Sequence, residues 1–204
     1  MELTGIILAG GRNLRLGRNK ALEKIGGVTV IERVINRLTP IINQLIIVTA
    51  DGKNHLIPVS SARFKADVYP GKGPLGGIYT GLSASHTELN IAVACDMPFL
   101  STSLLKHMVE LIPGFDAVVP RTRESLFEPL HAVYSQTCLP VIKNHLELEQ
   151  LSIRAFLAEV KVRYIEEDEC RQYDPELLSF FNMNRQADLE RAMKIAGSKQ
   201  SGII

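Results

Sequence analysis

Tryptophan is absent from the 204 residues, so stacking on a base or ring falls to Tyr, Phe, His or Arg. Cysteine is scarce. Cys95, Cys138 and Cys170 are odd in number and widely spaced, which gives neither a disulfide framework nor a CxxC metal site. No stretch approaches the roughly 18 apolar residues of a membrane span, and the first residues lack the basic start of a secretory signal. A cytoplasmic protein with no membrane partner is the expectation. An excess of charge is also missing: Lys plus Arg is 23, Asp plus Glu is 22, and the net charge is +1. That balance excludes a polybasic nucleic-acid surface and an acidic tail. What remains is a globular composition, 46% hydrophobic and 22% charged, at a length suited to one domain of an α/β type.

Short β-branched runs alternate with helical patterns, which predicts βα units and a mostly parallel central sheet. Strands are expected at Gly5–Ala9, Gln44–Ala50, Ala66–Tyr69, Asn90–Cys95, Ala117–Pro120, Phe127–Ser135 and Val160–Ile165. Helices are expected at Val30–Leu38, at Ile78–Ala84, from a Ser101 cap to Ile112, near 136–147 and 152–160, and from Asn184 to about Ala196. Pro70–Gly77, with two prolines and four glycines, reads as a loop, and so does the acidic run Glu166–Glu169. Residues 1–196 therefore form one domain, with 197–204 as a frayed tail.

In open parallel sheets, ligands bind beyond the carboxyl ends of the strands. Three segments fall there. The first, Gly10 to Lys20, places glycine main chain beside Arg12, Arg15, Arg18 and Lys20, a combination suited to phosphates or to a tight basic surface turn. It is not a Walker A loop, because Gly17 is followed by Arg18. The second, Gly71-Lys-Gly73-Pro74-Leu75-Gly76, satisfies G-x-G-x-x-G, with Asp96 about 20 residues beyond. A nicotinamide site is disfavoured, because Pro74 removes a donor and the motif follows a third strand instead of the first. A base or ribose pocket fits better. The third, Asp96, ends an apolar strand. Beside phosphates its partner would be Mg²⁺, the alternative being a cap for the helix after Pro98. Asn184 is open between a helix cap and a metal ligand. His131, inside a strand pattern, is open between ligand contact and burial; the other histidines read as surface residues. No Ser-His-Asp or Cys-His arrangement recurs, so a covalent nucleophile is not expected.

Together, Leu8-Ala9-Gly10-Gly11 with Arg15, Gly17 and Lys20, then Gly73-Pro-Leu-Gly-Gly77, Cys95-Asp-Met-Pro98 and Asn182-Met-Asn184 resemble the molybdenum cofactor guanylyltransferases. The wider superfamily comprises nucleotidyltransferases built on a single three-layer, Rossmann-like α/β domain. The resemblance implies transfer of GMP from GTP to molybdenum-bound molybdopterin. It assigns nucleotide binding to Leu8, Ala9, Gly10, Gly11, Thr49, Asp67 and the Gly73–Gly76 turn. Arg15 and Lys20 would face the phosphates, and Asp96, with Asn184, would hold Mg²⁺. Glu128–His131 and Ser152–Arg154 resemble segments on the pterin side. Partners implied are GTP, the pterin, and transiently a molybdoenzyme or cofactor-delivery protein. Asn13, Asn19 and Arg185-Gln186 depart from the family pattern. The alternatives are a CTP- or sugar-phosphate-dependent relative, or a non-catalytic GTP-binding delivery protein.

Overall fold

Alternation of buried aliphatics along the strands builds a sheet covered on both faces. The computed structural model describes residues 2–10, 20–53, 59, 61–123 and 127–200, with backbone alone at 20 and 198–200. In chain order the elements begin with β1 (Leu3–Leu8), β2 (Lys24–Ile25), β3 (Val28–Thr29), α1 (Val30–Leu38), β4 (Gln44–Thr49) and β5 (Arg63–Ala66). There follow α2 (Gly73–Ala84), β6 (Leu89–Ala94), α3 (Thr102–Glu110), β7 (Ala117–Pro120), β8 (His131–Ser135) and α4 (Cys138–Glu147). The chain continues through α5 (Ile153–Ala158), β9 (Val162–Ile165), α6 (Glu167–Tyr173) and α7 (Gln186–Gln200). The main sheet has the order β5-β4-β1-β6-β8-β7-β9. Only β8 runs against its neighbours in this sheet.

The pleat sorts side chains onto two faces. Ile7, Ile47, Val93 and Val133 face α1 and α3 in one cluster. Ile6, Ile46, Ala92 and Tyr134 face α2, α4 and α5 in the other. α7 packs Leu189 and Ala192 with Met183 onto Ile25 and Val30, so the β2–β3 ribbon and the last helix share a small core of their own. Ser101 caps α3 as the sequence predicts, its Oγ accepting from Leu104 N at 3.2 Å, and Ser152 Oγ likewise accepts from Ala155 N at 3.3 Å at the start of α5.

Six elements differ from the sequence reading. The third strand is β5, ending at Ala66, because Asp67 Oδ1 accepts from Tyr69 N at 3.0 Å and turns the chain. Pro70–Gly77 is loop only to Lys72. α2 starts at Gly73 with Pro74 in its first turn, where a missing N–H costs nothing. Its glycines carry the contacts: a Cβ on Gly77 would lie 3.1 Å from the Leu8 side chain. Phe127–Ser135 is strand only from His131, Glu128–Leu130 forming a turn closed by His131 N donating to Glu128 O at 3.0 Å. The acidic run opens α6, where carboxylates in the first turn favour the helix dipole. The β2–β3 hairpin went unread, although Gly26 (φ 59°) and Gly27 (φ 85°) are the residues a tight hairpin turn requires. α7 also runs past Ala196 to Gln200.

Candidate active site

β1 sits between β4 and β6, and the chain crosses from β5 back to β6 on the other side of it. That is the switch point at which a doubly wound sheet opens a crevice. Ala9 N donates to Val48 O at 2.8 Å and Cys95 N to Leu8 O at 3.2 Å, so the ends of β1, β4 and β6 are tied together below the opening. Above them lies a cleft of about 960 Å³.

Leu8 and Gly10 from the end of β1, Asp67 from the turn after β5, and Gly73 and Pro74 from the start of α2 line this cleft. Asp96 from the end of β6 and Asn184 before α7 line it too. The loops following β1, β5 and β6 therefore meet around one space. Asp96 is half-buried, and its carbonyl accepts from Met183 N at 3.0 Å. This bond pins the segment carrying Asn182 and Asn184 beside Asp96. Asn184 N and Arg185 N both donate to Asp188 Oδ2, at 2.7 and 2.6 Å, which ties the segment carrying Asn184 to the first turn of α7.

Asp67 is held firmly. Its Oδ1 accepts from Tyr69 N and from Thr80 Oγ1 at 2.9 Å, and Thr80 Oγ1 accepts from Val68 N at 3.0 Å. Thr80 carries no sequence signal for this part, since its partners lie a full element away. A Cβ on Gly76 would stand 2.9 Å from Tyr69 O, so Gly76 lets α2 seat against the same turn.

Ala9, Thr49, Leu75 and Gly76, expected on the nucleotide side, are not cleft-lining residues. Thr49 is buried and its Oγ1 donates to Lys53 O at 3.4 Å; Leu75 is fully buried in the core. Ala9 spends its N–H on β4, and Gly76 packs on Tyr69. Gly11 and Arg15 lie outside the described residues, as does the side chain of Lys20, whose backbone opens a 3-10 turn at Lys20–Leu22. Pro129 and Leu130, within the Glu128–His131 segment that the resemblance puts on the pterin side, line the cleft.

Mg²⁺ takes oxygen donors, one or two carboxylates together with substrate phosphates. Among the described residues, the carboxylates of Asp67, Asp96 and Glu128 and the amide side chains of Asn182 and Asn184 line the cleft. No group of three or more His, Cys, Asp or Glu suited to a metal occurs among the described residues. Such a set fits a hard cation shared with substrate phosphates and does not form an all-protein cage.

Burial pushes the Cys138 and Cys170 thiols up to about 12, so both are protonated at neutral pH and inert as nucleophiles. His131 resolves toward burial. It is fully buried, its ring meets Phe180 edge-on at 5.2 Å, and neither ring nitrogen has a hydrogen-bond partner. Burial pushes its pKa down to about 3. The unfolded chain takes up this proton as pH falls through about 6.5 and the folded chain does not, so acid weakens the fold over that window. The expected loss is roughly 2 kcal/mol between about pH 7.5 and about pH 5. Urea melts at the two pH values check it: His131→Leu should remove that part of the pH dependence, and an unchanged slope would contradict it.

The family model of the MobA-like NTP transferase domain matches residues 5–165. The chain belongs to this family. The molybdenum cofactor guanylyltransferase of Desulfosudis oleivorans is 38% identical over 192 residues, covering 93% of this chain and 94% of that protein. The crystal structure of molybdopterin-guanine dinucleotide biosynthesis protein A from Archaeoglobus fulgidus superposes with a TM-score of 0.82 at 30% identity. It covers 96% of this chain and 99% of that one. A 2-C-methyl-D-erythritol 4-phosphate cytidylyltransferase from Thermus thermophilus matches with a TM-score of 0.72 at 18% identity over 97% of this chain and 100% of that one, a likeness of fold alone.

Proposed function

We infer that the protein is a nucleotidyltransferase that moves GMP from GTP to the phosphate of molybdenum-bound molybdopterin, giving the guanine dinucleotide cofactor and pyrophosphate. The observation that carries this is the meeting of Gly10, Asp67, the start of α2 and Asp96 around one cleft, in a chain of this family. An acceptor phosphate oxygen attacks the α-phosphorus of GTP, and the bond to the β-phosphate breaks as pyrophosphate leaves. A phosphate monoester is largely dianionic at neutral pH, with a second pKa of about 6, so no strong general base is required. The chain's contribution is position and charge.

Arg15 and Lys20, which follow β1 in the chain, would hold the pyrophosphate side. Asp67, braced by Thr80, offers its second carboxylate oxygen to the nucleoside. Asp96 and Asn184 would hold Mg²⁺, which when bound offsets the charge on the phosphate oxygens. Leu8, Pro74 and Met97 give the cleft apolar wall beside these polar groups. Among the described residues no helix is long and apolar enough to cross a membrane. We place the reaction in the cytoplasm, with hand-over of the product to a molybdoenzyme or a delivery protein. The experiment is incubation with α-labelled GTP and a panel of acceptors. Label should pass to molybdenum-molybdopterin with matching pyrophosphate. Transfer only to a sugar phosphate, or tight GTP binding with no transfer to any acceptor, would overturn the reading.

A further inference from the structure

We propose that the Lys72–Glu149 ion pair is a strap that holds one wall of the cleft ready for the nucleotide. Glu149 is then a positioning residue that acts through Lys72; this rests on the reading that the cleft takes GTP. The wall is the loop 70–73, of which Pro70, Gly71 and Gly73 line the cleft. Lys72 stands between two glycines, with φ of 80° at Gly71 and 66° at Gly73. A Cβ on either would meet nothing within 4 Å, so these glycines serve backbone conformation and not close packing. Locally the loop is closed by Lys72 N donating to Tyr69 O at 3.1 Å. So glycine-rich a segment loses much conformational freedom when a ligand seats against it, unless a side chain holds it beforehand.

The holding contact comes from 77 residues away. Lys72 Nζ donates to Glu149 Oε1 at 2.6 Å. Strand direction explains the meeting. β8 runs antiparallel to β6, so α4, which follows it, climbs back to the cleft end of the sheet. There it packs Ile142 and Leu146 in one cluster with Leu75, Ile78 and Leu82 of α2. The last turn of α4 therefore ends beside the start of α2.

Glu149 occupies a position that favours glycine. Its φ is 60°. Gln150 N donates to His145 O at 2.8 Å and Glu149 N to Leu146 O at 3.3 Å, the two bonds of a Schellman turn with Glu149 in the left-handed place. Glycine adopts that conformation without steric cost and glutamate does not. The chain thus keeps a carboxylate where the turn alone would favour none, and that carboxylate accepts from Lys72. Backbone strain of this kind gathers at functional segments. The pair is exposed on the Glu149 side, so it adds little to global stability; what it fixes is the loop.

Calorimetric titration with GTP and Mg²⁺, thermal unfolding and amide hydrogen exchange test this on the full chain. Glu149→Gly should weaken GTP binding about three- to fivefold, the range an exposed ion pair supplies. Its Tm should stay level or rise, because glycine relieves the turn. Weaker binding without weaker folding is a combination that a merely structural role does not give. Glu149→Gln and Lys72→Met should each weaken binding by the same factor, and the two together no further. Exchanging the charges, Lys72→Glu with Glu149→Lys, should restore part of the loss. In the ligand-free protein the Lys72 amide should exchange about threefold faster or more in Glu149→Gln, a readout that needs no nucleotide. Unchanged GTP affinity in Glu149→Gly, a Lys72→Met loss far larger than that of either Glu149 variant, or an unchanged Lys72 exchange rate would overturn the proposal. If the wild-type protein binds no GTP, the proposed function fails, and the exchange rates still decide the strap.

Discussion

Asp96→Ala is expected to lower turnover roughly 10²-fold or more while leaving the fold intact. The backbone around residue 96 is held by its own carbonyl, which accepts from Met183 N, so losing the side chain does not release the segment bearing Asn182 and Asn184. What disappears is the carboxylate that lines the cleft at the end of β6. Charge placement carries the rate in the proposed reaction, and its loss is felt in full. Unaltered thermal unfolding with pyrophosphate release cut as stated is the expected result. Release near the wild-type rate would remove Asp96 from the mechanism.

The largest effect on stability is expected at Gly81. A Cβ there would stand 2.3 Å from Ile6 Cγ2, a methyl on a stiff β-branched side chain that is fully buried in β1. Gly81→Ala gains up to about 1 kcal/mol of helix propensity and loses more to overpacking, for a net loss of about 2 kcal/mol. In a domain of this size that lowers Tm by about 5 °C. Gly197 in α7 is the control, since a Cβ there meets nothing within 4 Å. Gly197→Ala should stabilise slightly. Calorimetric scans of both variants check the pair, and equal shifts of one sign would show that close approach of α2 to β1 is not what Gly81 provides.

That same helix shows what a sequence can and cannot say. Gly73-Pro-Leu-Gly-Gly77 was legible as a ligand segment and misread as loop. Three glycines count against a helix by propensity, and the close approach of Gly76 to Tyr69 and of Gly77 to Leu8 reverses the sign. Asp96 was legible because an acid ending an apolar strand has few structural uses. Asp67 was named through resemblance, whereas its support, Thr80, lies an element away and follows no pattern. Thr49 has the right position in the chain and turns its hydroxyl to Lys53 O, a choice set by the loop after β4. The parallel sheet was readable from alternating elements. The antiparallel placement of β8, which brings Glu128 to the cleft, was not, because strand direction depends on connections that leave no local trace.

The central claim is that one cleft binds a guanine nucleotide through Mg²⁺ and Asp96. Calorimetric titration with GTP, CTP, ATP and UTP, each with and without Mg²⁺, tests it on the wild-type protein and on Asp96→Ala. The account predicts that GTP binds most tightly, that its affinity depends on Mg²⁺, and that the Mg²⁺ dependence vanishes in the variant. GTP binding indifferent to both the cation and residue 96, or a preference for CTP, would contradict it.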